Sequence, residues 1–161
     1  MKQLILVRHA KSSWDAPLHD FERPLTGRGI QDAHLVSSHV SDQMPKTFLV
    51  WSSSAKRAAE TALIFAQNLS FPIESIVFKD DLYTFDERKL EQIIKSCPNE
   101  YNHLIVFGHN EAITNFVNKF GNVMIDNVPT SGFVDILFES LNWNDIQRGT
   151  TQKVIFPSDL K

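Results

Sequence analysis

The stretch Leu4-Ile5-Leu6-Val7-Arg8-His9-Ala10, LILVRHA in one-letter code, decides how this chain is read. Its first four residues form the kind of continuous apolar run that fills a strand buried on both faces. The run then ends on a fixed cation beside a titratable imidazole, a pair that is costly to bury unless it meets partners. A core strand that stops on Arg8-His9 points to a sheet edge where polar groups are gathered.

Further apolar runs alternate with helical patterns along the chain. Leu4–Val7 is the first strand, and Thr26-Gly27-Arg28-Gly29 opens a helix through about Val40, with Ala33, Val36 and Val40 at helical spacing. Phe48–Trp51 is a second strand, followed by the N-cap candidates Ser52-Ser53-Ser54 and a helix from about Ala55 to Asn68. Ile76–Phe78 is a third strand, with a helix from Asp86 to about Lys95. His103–Phe107 is a fourth, with a helix from Glu111 to Phe120 that Gly121 would stop. Val134–Phe138 and Lys153–Phe156 read as an antiparallel pair joined by a polar loop over residues 142–151. Strand–helix alternation with short connections implies parallel strands joined by right-handed crossovers. The expected fold is therefore a three-layer α/β/α sandwich, with a mostly parallel central sheet and an antiparallel C-terminal strand pair.

In such a sheet, ligands bind beyond the carboxyl ends of the strands. Arg8 and His9 follow the first strand, Ser52–Ser54 and Arg57 the second, Asp80 and Asp81 the third, and Gly108-His109-Asn110 the fourth. Parallel strands would bring all of them to one edge, together with two helix N-termini whose free N–H groups attract anions. Guanidinium forks match phosphate oxygens two at a time. Arginines beside a histidine also disfavour its protonation, which leaves a neutral, nucleophilic imidazole. The pattern points to phosphoryl transfer onto His9 followed by attack of water on the phosphohistidine.

Composition restricts the alternatives. The chain has 161 residues, enough for one domain with a full core, and a formal charge of −3, which offers no bulk attraction for nucleic acid or an anionic membrane. One cysteine, Cys97, excludes an internal disulfide and a zinc–cysteine cluster, and it reads as a structural thiol. No apolar stretch approaches the ~20 residues of a membrane span, and the first run is too short for a signal peptide and is followed by basic residues. The expectation is a cytoplasmic protein. A receiver or nucleotide-binding domain would need an acidic metal cluster or a Gly-rich loop after the first strand, where Arg8-His9-Ala10-Lys11 stands instead. A phosphate-binding module without turnover stays open, although it has no need of a nucleophile.

At these residues the chain resembles the histidine phosphatase superfamily, the phosphoglycerate-mutase-like fold, and within it the short SixA-type branch. The matching blocks are Leu6-Val7-Arg8-His9-Ala10, Arg23-Pro24-Leu25-Thr26 before Gly29, Ser52-Ser53-Ser54-Ala55-Lys56-Arg57-Ala58 before Glu60-Thr61-Ala62, and Phe107-Gly108-His109-Asn110. The resemblance implies one histidine phosphatase domain over residues 1–161. His9 would be the phosphorylated nucleophile, and Arg8, Arg57 and His109 would complete the phosphate pocket. Arg23 would be an extra pocket arginine, or a loop arginine paired with Asp20 or Glu22. Asn110 would support the pocket or cap the following helix. The resemblance implies no metal and no cofactor. The chain has no room for the long capping insertions of larger relatives, so the implied substrate is a phosphorylated protein, above all protein phosphohistidine, or a small phosphorylated molecule.

Three positions depart from the family pattern. Ala10 stands where many relatives have glycine, and Glu111 where many have proline, which brings a negative charge toward an anion site. The family's proton-donating carboxylate after the third strand has no clear match, and Asp81 is the candidate by position. His19, His34, His39 and His103 match no block and read as structural or exposed. Trp14, Trp51 and Trp143 read as packing residues, with a wall of the pocket as the alternative for Trp14, in the loop after His9.

Overall fold

A computed structural model describes residues 1–161. Six strands form one sheet: β1 (Lys2–Arg8), β2 (Leu49–Ser53), β3 (Ile76–Lys79), β4 (His103–Gly108), β5 (Phe133–Phe138) and β6 (Thr150–Ile155). Their spatial order is β3-β2-β4-β1-β5-β6. β1 to β4 run parallel, and β5 is antiparallel to both β1 and β6. Four helices connect them: α1 (Gly27–Val40), α2 (Lys56–Leu69), α3 (Glu87–Lys95) and α4 (Ala112–Phe120). No helix is long and apolar enough to cross a membrane.

Strand alternation builds the three layers. Along β1, Leu4 and Leu6 enter a core with Leu90, Ile94, Phe116 and Phe120 of α3 and α4. Ile5 and Val7 point the other way, into a core with Val36, Val40, Phe65 and Ala66 of α1 and α2. β4 divides in the same manner, Leu104 and Val106 to one side and Ile105 and Phe107 to the other. Successive side chains of a strand face opposite ways, so a continuous apolar run is what a sheet covered on both faces requires.

The expected elements are present, with shifted ends. β6 begins at Thr150 rather than Lys153, and a single 3-10 turn, Trp143–Asp145, occupies the preceding loop. Trp143 is fully buried and its indole donates to the Tyr101 carbonyl at 2.7 Å. α4 ends at Gly121 as expected, but the φ there is −93°, so no left-handed turn selects glycine. A Cβ at that position would lie 2.3 Å from Thr151 Oγ1; close approach of the β6 start is the reason. Cys97 is buried, and burial pushes its thiol up to about 12, as befits an inert packing residue.

Candidate active site

Register places the two histidines. Arg8 on β1 is opposite Gly108 on β4, so His9 and His109, the next residues on neighbouring parallel strands, leave the sheet side by side. The His9 N–H donates to the Gly108 carbonyl at 3.0 Å, and the ring centroids are 5.3 Å apart. The Arg8 carbonyl in turn accepts from the N–H of Ser131, in the loop that leads into β5.

The loop after His9 is fastened to both helices of its face. Thr26 Oγ1 accepts from Gly29 N at 2.9 Å, capping α1, while Thr26 N donates to the Lys11 carbonyl at 2.8 Å. A Cβ on Gly29 would sit 2.2 Å from that carbonyl oxygen, so α1 starts close to the loop only because residue 29 has no side chain. On α2, Thr61 Oγ1 accepts from Ala10 N at 2.9 Å, and Glu60 accepts from Leu25 N at 2.9 Å. The Arg57 guanidinium is directed to the site, where it donates to His9 and Asp20.

His9 has a defined tautomer. Its Nδ1 lies 2.7 Å from the Ala10 carbonyl, which only accepts, so Nδ1 carries the proton and Nε2 the lone pair. Arg57 Nε donates to that lone pair at 3.3 Å. Burial lowers the His9 pKa to about 4, helped by the charges of Arg57, Arg8 and Arg23 and opposed by the bond to Ala10. At neutral pH the ring is an uncharged base.

His109 is held from the other side. Ser53 Oγ accepts from Ala55 N at 3.1 Å and lies 2.8 Å from His109 Nε2. The hydroxyl hydrogen has no acceptor other than Nε2, so we assign it there, which places the His109 proton on Nδ1. That nitrogen is buried and has no partner, and neither has Arg8 Nε. Buried donors without partners are uncommon and are the groups a bound oxyanion satisfies. Burial, followed by the neighbouring His9 and Arg57, holds the His109 pKa far below its usual value. The edges of the Tyr83 and Phe85 rings close around it at 5.3 and 5.5 Å between centroids.

A cavity of about 460 Å³ opens over these groups, lined by Arg8, His9, Arg23, Arg57 and Asn110 together with Lys11, Ser12, Trp14, Asp20, Phe85 and Thr130. Arg8, His9, Arg23, Arg57 and Asn110 thus meet at one opening, with His109 packed against His9. Arg23 is buried and serves both expectations, since it lines the cavity and also pairs with Asp20 at 3.0 Å. Asn110 lines the cavity too, and its Oδ1 accepts from Thr114 N at 3.0 Å, anchoring the first turn of α4. Trp14 walls the mouth, 76% exposed, with the Arg23 guanidinium 3.5 Å from its ring centre. Glu111 is exposed and does not line the cavity.

Asp81 is not brought to this opening. The 3-10 turn Asp80–Leu82 buries Leu82 and leaves Asp81 exposed, on a separate depression with Lys89 and Gln92. Asp20 is the one carboxylate on the cavity. It accepts from Arg23 Nε and Nη2 on Oδ1, and from Arg57 Nη2 at 2.9 Å and the Tyr83 hydroxyl at 2.5 Å on Oδ2. Burial alone would raise its pKa, but the hydrogen bonds from Tyr83, Arg57 and Arg23 outweigh burial and hold the carboxyl well below the usual range. Sequence reading treated Asp20 only as a partner for Arg23. The three-residue spacing signals that pair, whereas nothing local signals Arg57 or Tyr83.

The architecture and the sequence have known counterparts. The protein histidine phosphatase SixA, solved with tungstate, superposes with a TM-score of 0.82 at 23% identity, covering 99% of both chains. A mycobacterial glucosyl-3-phosphoglycerate phosphatase gives 0.68 at 10% identity, over 94% of this chain and 97% of that one. The uncharacterised protein MT1313 of Mycobacterium tuberculosis (strain CDC 1551 / Oshkosh) is 24% identical over 160 residues, 93% of this chain and 98% of that protein. The family match covers residues 4–105, from within β1 into the first half of β4, and includes Arg8, His9, Arg23 and Arg57; on that match the chain belongs to the histidine phosphatase superfamily (branch 1).

Proposed function

We propose that this protein is a metal-independent phosphatase that passes the phosphoryl group through His9 and acts on protein phosphohistidine. The observation that carries this reading is the poised lone pair of His9 Nε2, fixed by the Nδ1–H bond to the Ala10 carbonyl, beside two buried donors without partners, Arg8 Nε and His109 Nδ1. Arg8, Arg57 and His109 would take the phosphoryl oxygens, and the guanidinium groups supply the positive charge that such a transfer needs.

In the first step Arg57 Nε exchanges the His9 lone pair for a phosphoryl oxygen. Nε2 then forms its bond to phosphorus as the bond to the leaving group breaks. The electron pair departs with the leaving atom, which is protonated from solvent. The Nδ1–H bond to Ala10 strengthens as the imidazole becomes cationic. In the second step water attacks phosphorus and gives up a proton to solvent, the P–Nε2 bond breaks with its pair returning to the ring, and inorganic phosphate leaves.

The substrate preference follows from the missing acid. Asp20, locked as a carboxylate by donors from three residues, cannot protonate a leaving group, and Asp81 lies on a separate depression. Groups that depart without a strong protein acid are then favoured, and the imidazole of a phosphoramidate is one. The open mouth between Trp14 and Phe85 suits a phosphorylated side chain on a protein surface.

The test compares kcat/KM for a phosphohistidine-bearing protein, a chromogenic phenyl ester and a phosphorylated sugar acid. The phosphohistidine protein should be fastest by at least about tenfold. A sugar acid phosphate in first place would favour a small-molecule phosphomonoesterase. Binding of phosphate or tungstate without turnover of any substrate would make the protein a phosphate-binding module.

A further inference from the structure

The cationic pocket contains one negative charge, and its bonding is too complete to be incidental. Asp20 stands in the short 3-10 turn Asp20–Glu22, between the first motif loop and α1. Its Oδ1 takes two donors of Arg23 and its Oδ2 one of Arg57 and the Tyr83 hydroxyl. Its backbone carbonyl accepts a further bond from Arg57 Nη1 at 2.6 Å. The carboxylate therefore joins three segments far apart in sequence, the loop after β1, α2 and the segment after β3. It also remains on the cavity surface, its side chain 40% exposed.

We infer that Asp20 is a specificity-determining residue, which aligns Arg23 and Arg57 and places a fixed negative charge where it opposes a second anionic group on the substrate's leaving side. This rests on the phosphatase reading above. The phosphoryl oxygens are drawn to the donors that Asp20 leaves free, those of Arg8, His109 and the remaining Arg57 hydrogens. A carboxylate on the leaving group would approach Asp20 across the same opening. Repulsion between two like unit charges a few ångströms apart in a partly solvated site weakens binding by about tenfold.

The experiment measures kcat/KM for phenyl phosphate and meta-carboxyphenyl phosphate in wild type, Asp20→Asn and Asp20→Glu, with thermal melts to confirm folding. Wild type should prefer the phenyl ester. Asp20→Asn should be slower on both, because the arginines loosen, and should lose the preference by about tenfold. Asp20→Glu should keep the preference whatever its rate, since the charge is retained. A merely structural role would lower both rates and leave their ratio unchanged, and that result in Asp20→Asn overturns the inference. Equal or reversed preference in wild type overturns it as well, even if Asp20→Asn fails to fold. Wild type that hydrolyses neither ester nor a phosphohistidine protein contradicts the phosphatase reading itself; turnover without charge discrimination contradicts only the role of Asp20.

Discussion

Arg57 Nε lies 3.3 Å from His9 Nε2, so an arginine covers the lone pair that the proposed reaction uses. The contact aligns the imidazole, and in the proposed reaction it would be released when a phosphoryl oxygen offers a better acceptor. Arg57→Ala should lower kcat/KM by about 10²–10³, or ~3–4 kcal/mol, the usual cost of losing a donor to a developing oxyanion. Arg57→Lys should recover little, because a point charge cannot reach His9, Asp20 and substrate together. Steady-state kinetics on a chromogenic ester measures both.

The depressed histidine sets a pH dependence. His9 has a folded pKa of about 4, against ~6.5 in an unfolded chain. Between those values the unfolded state binds a proton that the native state does not. Stability therefore falls as pH drops through that window and is insensitive to His9 above it. His109 is shifted in the same direction and adds to the slope. Urea midpoints should fall between about pH 7 and pH 5, and less steeply in His9→Gln. The acidic limb of kcat/KM should lie near 4 once the substrate's own ionisation, with a second phosphate pKa of ~6, is divided out.

Ser53 reaches the site only through His109. Ser53→Ala removes the hydroxyl 2.8 Å from His109 Nε2 and frees the ring to exchange tautomers. We expect kcat to fall by about tenfold, the cost of a weakened hydrogen bond to a charged group. Imidazole nitrogen NMR shifts should show His109 as the Nδ1–H form in wild type and as a mixture in the variant. An unchanged spectrum would remove Ser53 from the account.

Gly29→Ala tests the attachment of the His9 loop to α1. The new methyl would sit 2.2 Å from the Lys11 carbonyl oxygen, which is backbone and cannot turn aside. Either the helix or the loop must move, at a cost of about 1–3 kcal/mol. A lower melting temperature and a lower kcat/KM are expected together, because the displaced loop carries His9 and Ser12. Gly27, with open space around its Cβ position, should accept alanine with little change and serves as the control.

Much of the fold was legible because both faces of the sheet are covered. Leu4–Val7 and Leu104–Phe107 then read as unbroken apolar runs, and their helices as periodic ones. The short turns were not legible: Asp20–Glu22 and Asp80–Leu82 are single turns with no period to detect. The start of β6 was missed for a similar reason, since Thr150-Thr151-Gln152 shows no apolar alternation on an edge strand. At the site, the strand ends locate Arg8, His9, Arg57 and His109. Asp81 was misplaced because proximity to a strand end does not fix which way a 3-10 turn faces. Asp20 was underestimated because its partners Arg57 and Tyr83 are long-range, and only its spacing to Arg23 is visible in one dimension.

The central claim is a covalent phosphoryl group on His9 Nε2, and rapid-quench mass spectrometry tests it most directly. Enzyme mixed with substrate and stopped in alkali, where phosphohistidine survives, should show a transient gain of one phosphate on the peptide that contains His9. His9→Ala should show no gain and no turnover, while still binding tungstate. Turnover by wild type with no phosphorylated His9 peptide at any time, or equal activity in His9→Ala, would contradict the account.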